Sequence, residues 1–323
     1  MAKNAKVARH TVLSDTATYA MKLQDALKTS LDELRMQMLG AQVLFGFQFQ
    51  AVFQDNFPAV QYSGRVVYAL GLALMIAVLG LLIAVPCQHR FVDSGETTLR
   101  IYAVSLRYAT LALVPLAGAI VCDVFIATER PFGTMVSAAM AVCTGAMAAI
   151  AWFCIGMILR RRWNMSDEGG PMQQSKTALH ARIEQMLTEA RVILPGAQAL
   201  LGFQLIAMMT KAFDELPPTG RLLHLVALLS LALAIVLLIS PAAIHRLAFS
   251  GSDDPRLQSI GSVLITMALL PLACAISCDV WIALTRLFGE TFASWAGAVA
   301  VLLFLHGLWY IFPLLIKRAA YRA

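Results

Sequence analysis

Charged residues are scarce in this chain. They make up 14% of 323 residues against 59% hydrophobic, and the mean hydropathy is +0.72. Soluble domains carry about a quarter charged residues, so a protein with an ordinary water-facing surface is excluded. The signatures of chemistry are missing too. No serine or cysteine nucleophile stands with a base, and there is no phosphate-cradling glycine loop, zinc motif or haem-attachment pattern. The six cysteines, Cys87, Cys122, Cys143, Cys154, Cys274 and Cys278, lie in or at the ends of apolar runs without CxxC spacing, so they read as packing residues and no metal site is expected. The polar stretches are too short to hold an independent catalytic domain of about fifty residues. Neither enzymatic activity, a cofactor nor a nucleic-acid partner is expected.

What is present is length without charge. A hydrocarbon core about 30 Å thick is crossed by about twenty apolar residues in a helix. Runs at 66–86, 108–121, 135–159, 222–243, 260–278 and 292–316 are the clearest candidates. Two shorter, more polar runs at 38–54 and 194–210 complete an expected eight spans. The basic N-terminus is not followed by an apolar signal core before residue 35, so no cleaved signal is read.

The two polar runs share a nonapeptide, GAQVLFGFQ from Gly40 and GAQALLGFQ from Gly196, and the likeness extends well beyond it. The stretch 31–133 superimposes on 187–289 without a gap. Glu33, Arg35, Gln42, Gln48 and Arg65 fall on Glu189, Arg191, Gln198, Gln204 and Arg221. His89 and Arg90 fall on His245 and Arg246, and the tripeptide CDV at 122–124 on CDV at 278–280. This is a tandem duplication. It divides the chain into an amphipathic N-terminal segment (1–30), a first repeat (31–162), a linker (163–182) and a second repeat (183–323). Ser14 or Asp15 is the expected cap of the amphipathic helix. Four spans per repeat is an even number, so both repeats enter the membrane the same way round. The expected fold is an all-α membrane protein of eight transmembrane helices, two parallel four-helix repeats related by a pseudo-two-fold axis along the membrane normal. Most of the 25 Lys and Arg then fall on one side, which places both termini in the cytoplasm and the protein in the inner membrane.

The combination of LDELR, GAQVLFGFQ, a long span closing on His-Arg, and a third span with an acid near its end resembles the DUF6328 family, bacterial four-span membrane proteins of uncharacterised function. Each half resembles one unit of that family. The second half departs at one point, with Thr188-Glu189 where the first has Asp32-Glu33. The resemblance implies a membrane fold and brings no activity with it.

Polar residues inside apolar spans mark the candidate site. Asp123 and Asp279 are acids retained in both repeats within a long span, toward its outer end, and an intramembrane carboxylate is a functional candidate. Their expected counter-ions are Arg130 and Arg65, with Arg286 and Arg221 as the copies. Gln48 and Gln204 lie near mid-membrane, about 15 Å along their helices. With Gln42 and Gln198 they form either a polar lining or hydrogen-bonding glue between helices. His89, Arg90, His245 and Arg246 end the second span of each repeat, where cations complement the helix dipole and anchor the inner boundary. Two functions fit these residues. The first is small-ion transport, of protons or sodium, along the polar residues. The alternative is a non-transporting scaffold or partner subunit in which the same residues fasten helices. The lipid bilayer is the expected partner, and a second copy or another membrane protein is a candidate.

Overall fold

The computed structural model describes residues 2–55, 57, 60–154, 179–247 and 254–320. Among these the secondary structure is helical throughout, with no strand. The long helices are α1 (Ala2–Ala51), α2 (Tyr62–Phe91), α3 (Leu99–Phe132), α4 (Thr134–Ala149), α5 (Leu179–Ala207), α7 (Pro218–Leu247), α8 (Pro255–Phe288) and α9 (Phe292–His306). A short α6 (Lys211–Asp214) precedes α7, and α10 (Phe312–Ala320) closes the described chain. The last span of each repeat contains one widened, π-helical turn, Ile150–Cys154 after α4 and Gly307–Ile311 after α9.

Seven helical segments among the described residues are long and apolar enough to cross a membrane. They account for seven of the eight expected spans. The remaining run, 38–54, forms the last part of α1, where Gln42, Gln48 and Gln50 interrupt the apolar surface and the helix stops at Ala51. The expected cap at Ser14 or Asp15 is not used, because α1 already begins at Ala2 and continues past both without a break. Helical order also survives Pro86, Pro195, Pro241 and Pro271, each of which removes one backbone donor inside a helix. Such losses are tolerated where neighbouring helices re-satisfy the freed groups.

Large apolar side chains lie open along one face of α7 (Leu222, Leu225, Leu229, Leu233, Val236) and along α4 (Met135, Val142, Met147). Patches of that extent are not sustained against water, whereas lipid covers them at no penalty. The chain is a multi-pass membrane protein. Its interior is built around α1 and α2 on one side and α8 on the other, with Phe45, Phe49, Met75, Leu79, Ile83 and Trp281 fully enclosed.

The two copies of the nonapeptide pack against each other where α1 meets α5. Gln42 lies over Gly196 and donates weakly to the Ile193 carbonyl at 3.4 Å, and Phe203 lies over Gly46. Phe47 and Phe203 sit 4.8 Å apart ring to ring. These contacts are not reciprocated: Gln198 is exposed, and nothing stands within 4 Å of where a side chain would begin at Gly40 or Gly202. The last span of the second repeat closes over α2, and the Trp309 indole donates to the Gly80 carbonyl at 3.1 Å. A β-carbon at position 80 would meet the Phe304 ring at 2.7 Å and Leu308 at 3.3 Å. Gly80→Val, which installs the residue that the second repeat has at Val236, is expected to destabilise by about 1–3 kcal/mol through overpacking. The check is a lower melting temperature of the purified variant in detergent.

Candidate functional site

Each repeat holds one amide–carboxylate pair that ties its first long helix to its third. In the first repeat Gln48 of α1 donates through Nε2 to Asp123 Oδ1 of α3 at 2.8 Å. In the second Gln204 of α5 donates to both carboxylate oxygens of Asp279 on α8, at 2.8 and 3.0 Å. Both pairs join residues of matching register. The geometry recurs because the sequence recurs: a glutamine eight residues past the leading glycine of the nonapeptide, and an aspartate inside CDV. An N–H donated to an ionised carboxylate is a strong, charge-assisted bond.

A third polar side chain, from the second long helix of each repeat, belongs to each site. Tyr68 of α2 is buried one helical turn before Gly71, whose backbone lies against the Gln48–Asp123 pair. Its counterpart, His224 of α7, is 1% exposed, and its Nε2 faces the Gln204 carbonyl oxygen at 3.2 Å. His224 also packs edge-on to Phe213 at 5.0 Å and parallel to Phe49 at 6.4 Å. Sequence reading missed both rings. The signal was available, because the register of the duplication pairs Tyr68 with His224, two polar rings at one position of otherwise apolar spans.

The two sites differ in enclosure. Asp279 is sealed at 1% exposure with both oxygens engaged, whereas Asp123 is only half-buried and its Oδ2 has no hydrogen-bond partner. Gly71 of α2 backs the first pair: a β-carbon there would stand 3.6 Å from Gln48 Nε2 and 3.8 Å from Asp123 Oδ1. The second repeat has Ala227 at that position, fully buried.

The arginines expected to neutralise the aspartates go elsewhere. Arg65 donates to the carbonyls of Val60 (3.1 Å) and Leu287 (3.2 Å). Arg286 reaches Glu215 at 3.2 Å and the Val52 carbonyl at 3.4 Å, and Arg221 donates to the Asp214 carbonyl. Apart from the Glu215 carboxylate, these are helix-end and loop carbonyls, which a guanidinium satisfies without reaching along its helix toward the aspartates. The side chain of Arg130 lies outside the described residues. Among the described residues no ion pair includes Asp123 or Asp279. Of the four expected lining amides, Gln48 and Gln204 join the acids. Gln42 is spent on the contact between repeats and Gln198 faces outward.

A second polar cluster lies at the other end of α2. Glu189 of α5, 2% exposed, accepts from Arg90 Nε and is hydrogen-bonded to His89 Nδ1, so one carboxylate of the second repeat meets both basic side chains that close α2. Arg90 also donates to the Ser262 carbonyl of α8 at 3.1 Å. The loop after α2 is tied to α5 by Arg182 to the Ser94 carbonyl and Gln185 to Thr97, both at 2.8 Å. Glu33, the copy of Glu189, is exposed. The side chains of His245 and Arg246 lie outside the described residues. His306, a residue of the second repeat alone, hydrogen-bonds the Leu302 carbonyl of its own helix at 2.9 Å and stacks on Tyr310.

These features define a helical, multi-pass membrane protein whose two halves each hold an amide-bound aspartate between helices. The sequence profile described as a family of unknown function, DUF6328, matches it twice, over residues 17–156 and 173–313, and the chain belongs to that family. The double match agrees with a tandem duplicated unit. No curated protein and no solved structure matches the chain.

Proposed function

We propose that this protein is an eight-span pseudo-dimer that moves a small cation, a proton or sodium, across the bilayer, using Asp123 and Asp279 as its charge-bearing groups. In this reading the end of α1 is the eighth span, the repeats run parallel, and both termini face the cytoplasm of a cell whose inner membrane holds the protein. It performs no covalent chemistry. The observation that carries the reading is the repeated Gln–Asp pair within the spans. A carboxylate in hydrocarbon is costly and is retained where an ion path or a partner needs it. Here the partner is an amide, which hydrogen-bonds the charge without neutralising it, so the site keeps its demand for a positive charge.

The test is proton and sodium flux into proteoliposomes under a pH gradient and a membrane potential. Wild type is expected to carry a current, and the variant combining Asp123→Asn with Asp279→Asn to fall to the level of empty vesicles. A folded wild type without flux of either ion would leave the Gln–Asp pairs as helix fasteners in a scaffold or partner subunit.

A further inference from the structure

The two aspartates are retained in register, yet their surroundings have diverged in one direction. Around Asp279 the carboxylate is fully engaged, both oxygens accepting from Gln204, and the neighbouring ring is the nitrogen-bearing His224. Around Asp123 three oxygens are left over. Asp123 Oδ2, Gln48 Oε1 and the Tyr68 hydroxyl have no hydrogen-bond partner, although Gln48 is 5% and Tyr68 4% exposed. A buried polar atom without a partner is rare, because its desolvation goes uncompensated. The three come from α1, α2 and α3: Gln48 is bonded to Asp123, and Tyr68 lies one helical turn before Gly71, which backs that pair. Gly71 keeps the wall behind that set free of a side chain; a β-carbon there would find Cys122 Cβ nearest, at 3.1 Å.

The chemistry of the donors limits what they hold. All three are hard oxygens, which suit alkali and alkaline-earth cations and not thiophilic metals. Only one carries a full charge. Calcium sites gather several carboxylates and six to eight oxygens, and among the described residues no group of three His, Cys, Asp or Glu side chains is placed to hold a metal ion. A single carboxylate with two neutral oxygens balances one positive charge. Gln204 Oε1 and His224 Nδ1 also lack partners, but beside them both carboxylate oxygens are occupied and the third polar group is a ring nitrogen, not a hard oxygen.

We infer that a hard monovalent cation of sodium's class binds in the first repeat, held by Asp123 Oδ2, Gln48 Oε1 and the Tyr68 hydroxyl, and not at the corresponding position of the second repeat, where both carboxylate oxygens accept from Gln204. The inference deepens the ion-handling reading above by assigning the cation to one of its two acids. It is tested by binding rather than by flux.

The full-length chain is purified in detergent and its melting temperature followed as sodium chloride replaces choline chloride at constant ionic strength, with lithium and potassium in parallel. Saturable stabilisation by an alkali cation is expected in wild type and in Asp279→Asn, and not in Asp123→Asn. Tyr68→Phe removes one donor oxygen without orphaning a protein group, so it folds, and the sodium concentration at half-effect should rise about tenfold, the equivalent of one lost charge-associated hydrogen bond. Gly71→Ala, which installs the second repeat's residue, should shift it in the same direction. The inference is overturned if no alkali cation stabilises the folded wild type, or if Tyr68→Phe and Gly71→Ala respond as wild type does. The failures are distinguishable: proton flux without cation stabilisation removes this site and leaves the transport reading, whereas cation stabilisation without flux does the reverse.

Discussion

Glu189→Ala is expected to be the most damaging single substitution in the molecule, costing about 3–5 kcal/mol because it removes one partner of a buried ion pair. The loss comes from what remains. Arg90 at 7% side-chain exposure and His89 at 2% would keep their positions with no carboxylate to meet. The bond from Arg90 to the Ser262 carbonyl, which links the same guanidinium to α8, would be left to hold that charge alone. Glu33→Ala removes the equivalent residue from an exposed position and should change stability by no more than about 0.5 kcal/mol, the range of ordinary surface substitutions. The comparison is made on melting temperatures in one detergent. Equal effects at the two positions would mean that the repeats are held together in some other way.

The second large effect concerns the glycines of the duplicated nonapeptide. A β-carbon at position 196 would stand 1.5 Å from Gln42 Oε1 and 2.4 Å from Gln42 Cβ. A rotamer change relieves the first clash but not the second, so the helices themselves must separate. Gly196→Ala should therefore destabilise by about 1–3 kcal/mol or more through overpacking, on a helix where alanine is intrinsically preferred to glycine by about 1 kcal/mol. Gly40→Ala has nothing within 4 Å to meet and should be neutral or stabilising by that same preference. Opposite signs at two positions that align in the sequence would establish that α1 and α5 meet without reciprocal contacts. Matching signs would refute that packing.

These predictions show where the sequence was legible. Composition and run length sufficed for membrane-crossing helices, and the register of the repeat identified Gln48, Gln204, Asp123 and Asp279 as polar residues at fixed depth. Their union could not be read, because the partners lie on different helices and meet only when α1 packs on α3 and α5 on α8. Sequence reasoning looked instead for a cation along the same helix or at its mouth. It found arginines that the structure commits to carbonyls at the helix ends. The duplication also misled in a specific way. Alignment makes Gln42 equivalent to Gln198, Gly46 to Gly202 and Glu189 to Glu33, but a contact between two helices uses one copy from each side. Gln42, Gly46 and Glu189 are buried in such contacts, whereas Gln198, Gly202 and Glu33 have no counterpart facing them among the described residues. Equivalence in sequence supplied the residues, and packing chose among them.

The same inequality governs the candidate site. Tyr68 and His224 occupy one position of the repeat, yet the first repeat's aspartate is half-buried with one oxygen unpartnered, whereas the second repeat's is sealed with both oxygens bonded to Gln204. An arrangement retained only to fasten helices has no need of unpartnered oxygens around Asp123. Replacing such a fastener with apolar residues of similar size is commonly neutral or favourable, because burying the polar groups was itself costly.

That contrast supplies the most direct measurement. In proteoliposomes, ion flux would be compared between wild type and a variant carrying Gln48→Leu with Asp123→Leu, which removes both partners of the pair together, with the melting temperature of each recorded alongside. The account predicts a variant that melts at or above the wild-type temperature and carries no ion. Undiminished flux from that variant would contradict it, and the Gln48–Asp123 pair would then be a structural bond and nothing more.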